Sequence, residues 1–307
     1  MKKIVFLLVF VLFAHILTAQ ETDETYTSTS DLLLQISSLP EMKLSFTQSF
    51  IFPFLQGDNP LTSGNNIRLA LTGEISPISL NALFETVWTP VAFFEFSAGG
   101  RIGTGWNIEL FGSEVYGIGI NQPASGGWEN NGSAFDGILW KAQVGGTIQF
   151  DLAAIYPGDW NHIVARSYHE INYKGYSRAK EHEAWYYEND SGENCNGFNY
   201  YGNFLIGYQM PIFLSLVGLL AEMELRLYDT PNRELWGDDL IRWCFSAILS
   251  FTITEQFGIT LITQFITCRN FEQSNWKDLY YRDRTVDTSN PVHLEFYRVA
   301  AALTYRF

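Results

Sequence analysis

Apolar and polar residues alternate along most of this 307-residue chain, and the length of that alternation limits what the chain can fold into. The clearest example is residues 136–152, where one face would carry Ile138, Trp140, Ala142, Val144, Ile148 and Phe150, and the other Lys141, Gln143, Thr147, Gln149 and Asp151. A period of two residues is typical of a β-strand whose faces meet unlike surroundings. Strands in soluble sandwiches usually span about five or six residues, whereas a membrane-crossing strand needs about 9–11. The pattern therefore favours long membrane-crossing strands.

Eleven further segments extend the prediction to most of the mature chain, although 161–174 is less regular and 104–118 is Gly-rich. The predicted strands are 42–54, 65–75, 78–88, 91–101, 104–118, 136–153, 161–174, 197–209, 212–228, 241–252, 257–270 and 294–307. Bacterial single-chain barrels have an even number of strands. We therefore predict an all-β fold, an antiparallel up-and-down transmembrane β-barrel of about 12 strands over residues 41–307. Ten strands is the alternative if the Gly-rich segment 104–118 is a loop and the turn at Thr89–Pro90 is misassigned, and fourteen if 182–189 pairs with the segment after it.

The last predicted strand, LEFYRVAAALTYRF, runs to the end of the sequence and closes on Phe307. A final strand that ends on Phe resembles the closing strand of bacterial outer-membrane β-barrels, in which that strand is an assembly signal. The resemblance implies an outer-membrane location, with outer-membrane lipid and the barrel-assembly machinery as partners and Phe307 and Tyr305 as the signal. The phrases WYYENDSGEN and NYYGNFLIGYQMP are also loosely similar to stretches of uncharacterised spirochaetal outer-membrane barrels, which brings no substrate.

The N-terminus is consistent with export. Lys2 and Lys3 precede an apolar run over residues 4–19, which predicts a signal peptide over 1–19 that is cleaved after Ala19. A retained anchor is the alternative, although the run is at the short end for spanning a membrane. Residues 20–40 are predicted to be an N-terminal periplasmic segment or a short helix that plugs the lumen.

The predicted connections fall into two classes of length. The short ones include 75–77, 156–160, 209–212 and 254–257, and the long ones 56–64, 105–134, 175–196, 229–240 and 271–291. Outer-membrane barrels have short periplasmic turns and longer extracellular loops. We therefore expect the short turns at one rim and the long loops at the other.

Charged residues fall on the polar faces of the predicted strands. A charge on the lipid face would cost about 2–4 kcal/mol near the middle of the bilayer, so these side chains are predicted to line the lumen: Lys43, Arg68, Glu74, Glu85, Lys141, Asp151, Arg166, Glu170, Glu222, Glu224, Arg226, Arg242 and Arg298. The function predicted from them is a porin-like channel for passive transport of small hydrophilic solutes. The alternatives are an occluded barrel that displays adhesive or partner-binding loops, and a channel for hydrophobic ligands such as fatty acids.

Other functions find little support in the sequence. The net charge of −14 argues against a nucleic-acid partner, because a basic surface is missing. His162 and His169 have no obvious Ser partner, and the EHE triplet at 181–183 is interpreted as a solvated loop. We predict no enzymatic activity, no cofactor and no metal. Cys244 and Cys268 lie on the polar faces of consecutive strands, and whether they pair is left open.

Overall fold

The computed structural model describes residues 26–39, 41–110, 112–125, 127–188 and 190–307. The predicted signal peptide, 1–19, lies outside the described residues. Within these ranges, twelve long strands form one closed antiparallel barrel. In chain order they are β1 (Thr27–Ser37), β2 (Met42–Pro53), β3 (Asn66–Ile75), β4 (Ser79–Val91), β5 (Phe94–Gly105), β6 (Leu139–Asp151), β7 (His162–Tyr176), β8 (Gly197–Gln209), β9 (Leu214–Arg226), β10 (Arg242–Thr252), β11 (Phe257–Arg269) and β12 (Val292–Arg306).

Each barrel strand pairs with its neighbours in the sequence, and β12 closes the barrel on β1. The closing register runs from Asp31 opposite Arg306 to Ser37 opposite Ala300. Just beyond it, the backbone N–H of Phe307 donates to the carbonyl of Ser30 at 2.9 Å. Closure leaves no sheet edge with unpaired backbone groups. The prediction of an all-β, up-and-down barrel with twelve strands is confirmed.

Two of the predicted elements are wrong, and their effects on the strand count cancel. Residues 27–37 form β1 and pair with both β2 and β12, which corrects the periplasmic segment or plug predicted for 20–40. The apolar run at 32–34 hid the alternation of this strand. The predicted strand 104–118 is not a strand of the barrel. Strand β5 ends at Gly105, and the residues that follow belong to the loop between β5 and β6. A Cβ on Gly117 would lie 2.3 Å from the carbonyl oxygens of Ile78 and Trp106, so the chain there makes a tight crossing that a regular strand does not allow.

The faces of the barrel are opposite in character to those of a soluble protein. In β2 to β6 every Asp, Glu, Lys and Arg has the inward register position, and the outward positions are mainly apolar. Large apolar side chains exposed on the outside include Phe84, Ile102, Val144, Ile171, Ile206, Leu219 and Val299. Stacked aromatic pairs such as Trp140 with Tyr173 lie on the same outer surface. An outer apolar band and a polar interior are the arrangement of a transmembrane barrel.

The connections of the barrel divide between two ends. Loops 106–138, 177–196, 227–241 and 270–291 lie at one end, the loop end. The first residue of β1 and the last residue of β12 lie at the other, the terminal end. The turn at 76–78 also lies at the loop end and loop 54–65 at the terminal end, so the predicted segregation by length is wrong for these two. Because the prediction counted 104–118 as a barrel strand, it gave every strand before that segment the wrong direction relative to the strands after it.

The long loops contain their own small elements and pack together as a cap over the loop end. Two short hairpin strands are Ile108–Leu110 and Ser113–Val115, and Ile118–Ala124, Gly127–Asn131 and Trp185–Tyr187 form a three-stranded sheet. The helical turns of the described chain are Leu152–Ala154, Arg233–Trp236, Trp276–Asp278 and Tyr281–Asp283. No helix among the described residues is long and apolar enough to cross a membrane.

Candidate functional site

The lumen wall is lined with ion pairs that join inward-pointing side chains of different strands. The partners are offset along the strands and do not stand directly opposite each other in the register, and one pair, Arg101 with Glu74, reaches across β4 from β5 to β3. Three of these pairs are Arg68–Glu85 (3.3 Å), Arg101–Glu74 (2.5 Å) and Lys141–Glu170 (2.6 Å). Charges on the wall are therefore largely balanced locally, and neither sign dominates this part of the lumen.

The paired wall surrounds a cavity in the middle of the barrel. It has a volume of ≈ 430 Å³, and its polar lining includes Thr47, Arg68, Thr72, Glu85, Arg101, Lys141 and Gln143. A second cavity of ≈ 220 Å³ lies next to it toward the terminal end, lined among others by Arg68, Glu85, Glu95, Arg166 and Tyr168. Hydrogen-bonding side chains on these surfaces suit water and hydrophilic solutes better than acyl chains.

The predicted lumen residues have three different surroundings in the structure. Most face the lumen by register, as do Lys43, Glu74 and Glu170. Asp151 lies at the terminal end, where it pairs with His162 at 2.7 Å. Arg226 lies inside the cap, where it is buried against Asp238 and Tyr281.

Glu222, Glu224, Arg226 and Arg242 occupy nearby inward positions of β9 and β10, where their opposite charges could pair with one another. Instead Glu224 pairs with Lys174, and Glu222 accepts a hydrogen bond from the Tyr201 hydroxyl at 2.5 Å. The positive charge of Arg242 stabilises the ionised form of Glu193 in the cap and lowers its pKa. Arg298, on β12 and so two strands from Arg242, pairs with Glu41 and donates to Gln264 at 2.6 Å.

One segment of the cap crosses the mouth of the barrel. This plug segment, residues 184–188 and 190–195, belongs to the loop between β7 and β8, yet Glu188 contacts β2 and β4, which lie far from β7 and β8 in the strand order. Its aromatic residues form the centre of the cap: Trp185 is 1% exposed and packs with Ile118, Leu139, Tyr176 and Tyr187. The loop end of the lumen is therefore covered by a packed, largely buried segment.

Glu188 attaches the plug segment to the barrel wall. Lys43 Nζ donates to its Oε2 at 2.8 Å, while Ser79 Oγ and Asn81 Nδ2 donate to Oε1 at 2.7 and 3.1 Å. Burial raises the pKa of this carboxyl, but Lys43 and the nearby Arg101 outweigh it and lower the pKa below the ordinary value of 4.5. Glu188 is therefore a carboxylate at neutral pH.

Glu193 attaches the plug segment to the rest of the cap. Its carboxylate pairs with Arg269 and, at 3.4 Å, with Arg284, while Arg226 Nη2 donates to its carbonyl oxygen at 2.9 Å. Burial raises the pKa of Glu193, and the surrounding arginines, Arg269 first, bring it below its usual value. Asp238 supplies the second carboxylate of this buried network. The plug segment is thus held by ionic contacts of two carboxylates, Glu188 on the barrel wall and Glu193 in the cap.

Sequence analysis missed several of these residues for different reasons. Arg101 has an inward position on a predicted strand and could have been found by continuing the alternation through 91–101. Glu188, Glu193 and Asp238 lie in the predicted loops 175–196 and 229–240, where no alternation indicates which acids are buried. Their roles depend on how distant loops meet, and no local pattern marks them.

Gly103 lies beside the residues that hold Glu188, and its substitution gives a first test of the plug. A Cβ at this position would lie 2.2 Å from Asn81 Oδ1 and 2.7 Å from the Tyr187 hydroxyl, which donates to Asn81 at 2.6 Å. We expect Gly103→Ala to cost about 1–3 kcal/mol of overpacking and to speed hydrogen exchange of the plug-segment amides about tenfold or more. Gly64→Ala is the control, because a Cβ there meets nothing within 4 Å. Equal exchange in both variants would contradict the contact.

His169 is hydrogen-bonded to a serine, Ser167, on the outer surface of the barrel. Ser167 Oγ lies 2.9 Å from His169 Nε2, and the Tyr200 hydroxyl bonds to His169 Nδ1. All three residues have outward register positions. Mutual hydrogen bonding reduces the cost of placing these polar groups on an apolar surface.

The cysteines do not pair. Cys244 lies opposite Ile266 and Cys268 opposite His293, and both are free, as is the buried Cys195. In the part of the chain that the structure describes, no three His, Cys, Asp or Glu side chains are grouped so that they could hold a metal ion.

Comparisons with known proteins find similar structures but no similar sequences. No protein-family model matches the chain, and no curated protein matches it. The NanC porin is 7% identical with a TM-score of 0.40, over 91% of this chain and 98% of the porin chain. The β domain of the Bordetella autotransporter BrkA is 10% identical with a TM-score of 0.39, over 92% of this chain and 99% of that domain. CdiB from Acinetobacter baumannii is 10% identical with a TM-score of 0.38, over 94% of this chain and 61% of its own. The similarity to spirochaetal barrels stays a prediction.

Proposed function

We propose that this protein is a bacterial outer-membrane channel through which small hydrophilic solutes pass passively, and that the plug segment narrows its outer mouth. The observation that carries the proposal is the distribution of charge around the barrel wall. Charged side chains line the ≈ 430 Å³ central cavity, while the outward positions of β2 to β6 carry none. A wall of this kind favours lipid outside and water inside.

The proposed orientation follows from the positions of the strand ends. The start of β1 and the end of β12 lie at the terminal end, together with the two-residue turn 92–93 and the short turns 210–213 and 253–256. Short turns face the periplasm in outer-membrane barrels. The cap and the plug segment then face the outside of the cell.

Insertion would depend on the closing strand. Phe307 and Tyr305 make an edge-to-face ring contact with centroids 5.0 Å apart, and both are exposed on the outer surface of the terminal end. These positions are accessible to the barrel-assembly machinery, which is the partner that we propose for the closing strand.

Conductance of the purified protein in planar lipid bilayers tests the channel. We expect discrete current steps from the unaltered protein, and larger steps when residues 178–195 are replaced by a short Gly-Ser connection, because β7 and β8 are adjacent strands that such a connection can join. Shortening loop 54–65, at the opposite end, is the control and should leave the step size unchanged. If neither the unaltered nor the plug-free protein conducts, the channel function is wrong.

The second candidate function is an occluded barrel whose loops bind a partner. The cap favours it, because the four long loops pack around buried residues of their own, among them Ala184, Trp236 and Tyr281. A rigid, folded cap presents a fixed surface, as a binding protein requires. Absence of current in both proteins of the conductance experiment would favour this candidate.

A further inference from the structure

The residues that hold Glu188 form a complete receptor for a carboxylate group. One carboxylate oxygen accepts two hydrogen bonds, from Ser79 Oγ and Asn81 Nδ2, and the other accepts one from the Lys43 ammonium. Ser79 is 0% exposed, and its hydroxyl lies 2.7 Å from that of Ser76, which helps to fix its direction. We call Lys43, Ser79 and Asn81 the wall cradle. All three are barrel-wall residues, and Asn81 also accepts a hydrogen bond from the Tyr187 hydroxyl of the plug segment.

The charges in and around the wall cradle favour the binding of an anion. Lys43 Nζ is also 3.9 Å from Glu74, and Glu74 is shared with Arg101 at 2.5 Å. Without Glu188, this group would have two cations and one carboxylate, a net charge of +1. A poorly hydrated cation that loses its partner is strongly unfavourable. Something anionic is therefore expected in the cradle whenever Glu188 leaves it.

The backbone of Glu188 indicates that its position is imposed on the plug segment. Its φ is 53°, in the left-handed region that side chains other than Gly seldom adopt. Such a conformation persists only where surrounding contacts enforce it, and it is a common feature of ligand clamps and switches. Here Glu188 is held by the three hydrogen bonds of the cradle and by one from its own backbone N–H to the carbonyl of Gly117 at 2.9 Å.

We infer that the wall cradle is a binding site for the carboxylate of a small solute, and that Glu188 occupies it as an internal ligand until such a solute displaces it. The binding site itself does not depend on the proposed channel function. Its consequence rests on that function: a carboxylate solute that displaces Glu188 opens the mouth through which it passes. The cradle lies next to the lumen, because Arg101, which shares Glu74 with Lys43, lines the central cavity. A ligand tethered by a short flexible linker competes with a free one as if present at about millimolar concentration, so solute at that concentration or above is required to compete.

Acetate is the probe, and line broadening of carbon-13-labelled acetate in the presence of detergent-solubilised protein is the measurement. In Glu188→Ala the internal ligand is gone, and we expect acetate to bind at least tenfold more tightly than to the unaltered protein. Glu188→Gln, which keeps the shape of the side chain, should bind acetate with intermediate affinity, because a neutral amide competes less well for Lys43. Heat-modifiable migration on gels establishes that each variant is folded.

Two controls identify the site. Adding Lys43→Met to Glu188→Ala should abolish acetate binding, whereas Glu181→Ala should bind as the unaltered protein does, since Glu181 is an exposed carboxylate of the same loop. The inference is overturned if folded Glu188→Ala and Glu188→Gln bind acetate no better than the unaltered protein, or if removal of Lys43 has no effect.

Conductance measurements separate this inference from the channel proposal. Acetate should raise the conductance of the unaltered protein relative to chloride at equal ionic strength. Acetate binding to Glu188→Ala without current in any variant would retain the cradle and overturn the channel. Current without acetate binding would retain the channel and overturn the cradle.

Discussion

Replacing Val144 by Arg is expected to cost the folded barrel about 2–4 kcal/mol, the penalty for a cation at mid-depth on the lipid face. Val144 is near the middle of β6, 60% exposed, and its outward position lies between Ala98 of β5 and Ile171 of β7. A guanidinium group there would have lipid around it and no carboxylate opposite. Urea-dependent folding into lipid vesicles, followed by heat-modifiable migration, measures the loss.

Gln143→Arg is the matched control, one residue away on the other face of the same strand. Gln143 lines the ≈ 430 Å³ cavity together with Glu85, so an added cation there remains in a hydrated, polar space. We expect a change in the free energy of unfolding of less than about 1 kcal/mol. If Val144→Arg is tolerated as well as Gln143→Arg, water and not lipid surrounds the barrel, and both the outer-membrane location and the channel are wrong.

The strands of the barrel were largely predictable, because alternation is a local property. Residues 136–153 were predicted as a strand and β6 spans Leu139–Asp151, since each outward residue there needs lipid and each inward one needs water. The failures are the places where that rule does not apply. In β1, Leu33 points inward between two outward leucines, so the period is lost although the strand pairs fully.

The candidate site was less predictable, because it depends on contacts between distant parts of the chain. The inward direction of Lys43 follows from its strand, but its partner Glu188 follows it by 145 residues. Loop acids such as Glu188 and Glu193 have no periodicity that would distinguish a solvated residue from a buried one. Only the path of the plug segment across the mouth decides this, and that path is fixed by the packing of Trp185 and its neighbours.

The largest destabilisation of the cap is expected from Glu193→Ala. Glu193 is 6% exposed, and three guanidinium groups, those of Arg226, Arg269 and Arg284, lie around it. Removing one partner from a buried ionic group costs roughly 3–5 kcal/mol of folding stability, because the remaining charges are left uncompensated. We expect hydrogen exchange of the plug-segment amides to accelerate by more than about a hundredfold, with little change in the amides of β3 and β4. Glu181→Ala, an 89% exposed carboxylate in the same loop, should change exchange by less than about fivefold.

A double substitution separates the loss of charge compensation from the loss of the Glu193 side chain itself. If uncompensated arginine charge is the cause, adding Arg269→Leu to Glu193→Leu should restore part of the protection, because an apolar pair needs no desolvated counter-ion. The two residues are in direct contact, so their effects should be strongly non-additive, by about 0.5–3 kcal/mol. Strict additivity would contradict the ionic attachment, and the cap would then be held mainly by its aromatic residues. In that case loss of Glu193 should leave the plug segment closed, because the packing of Trp185 and its neighbours would still hold it.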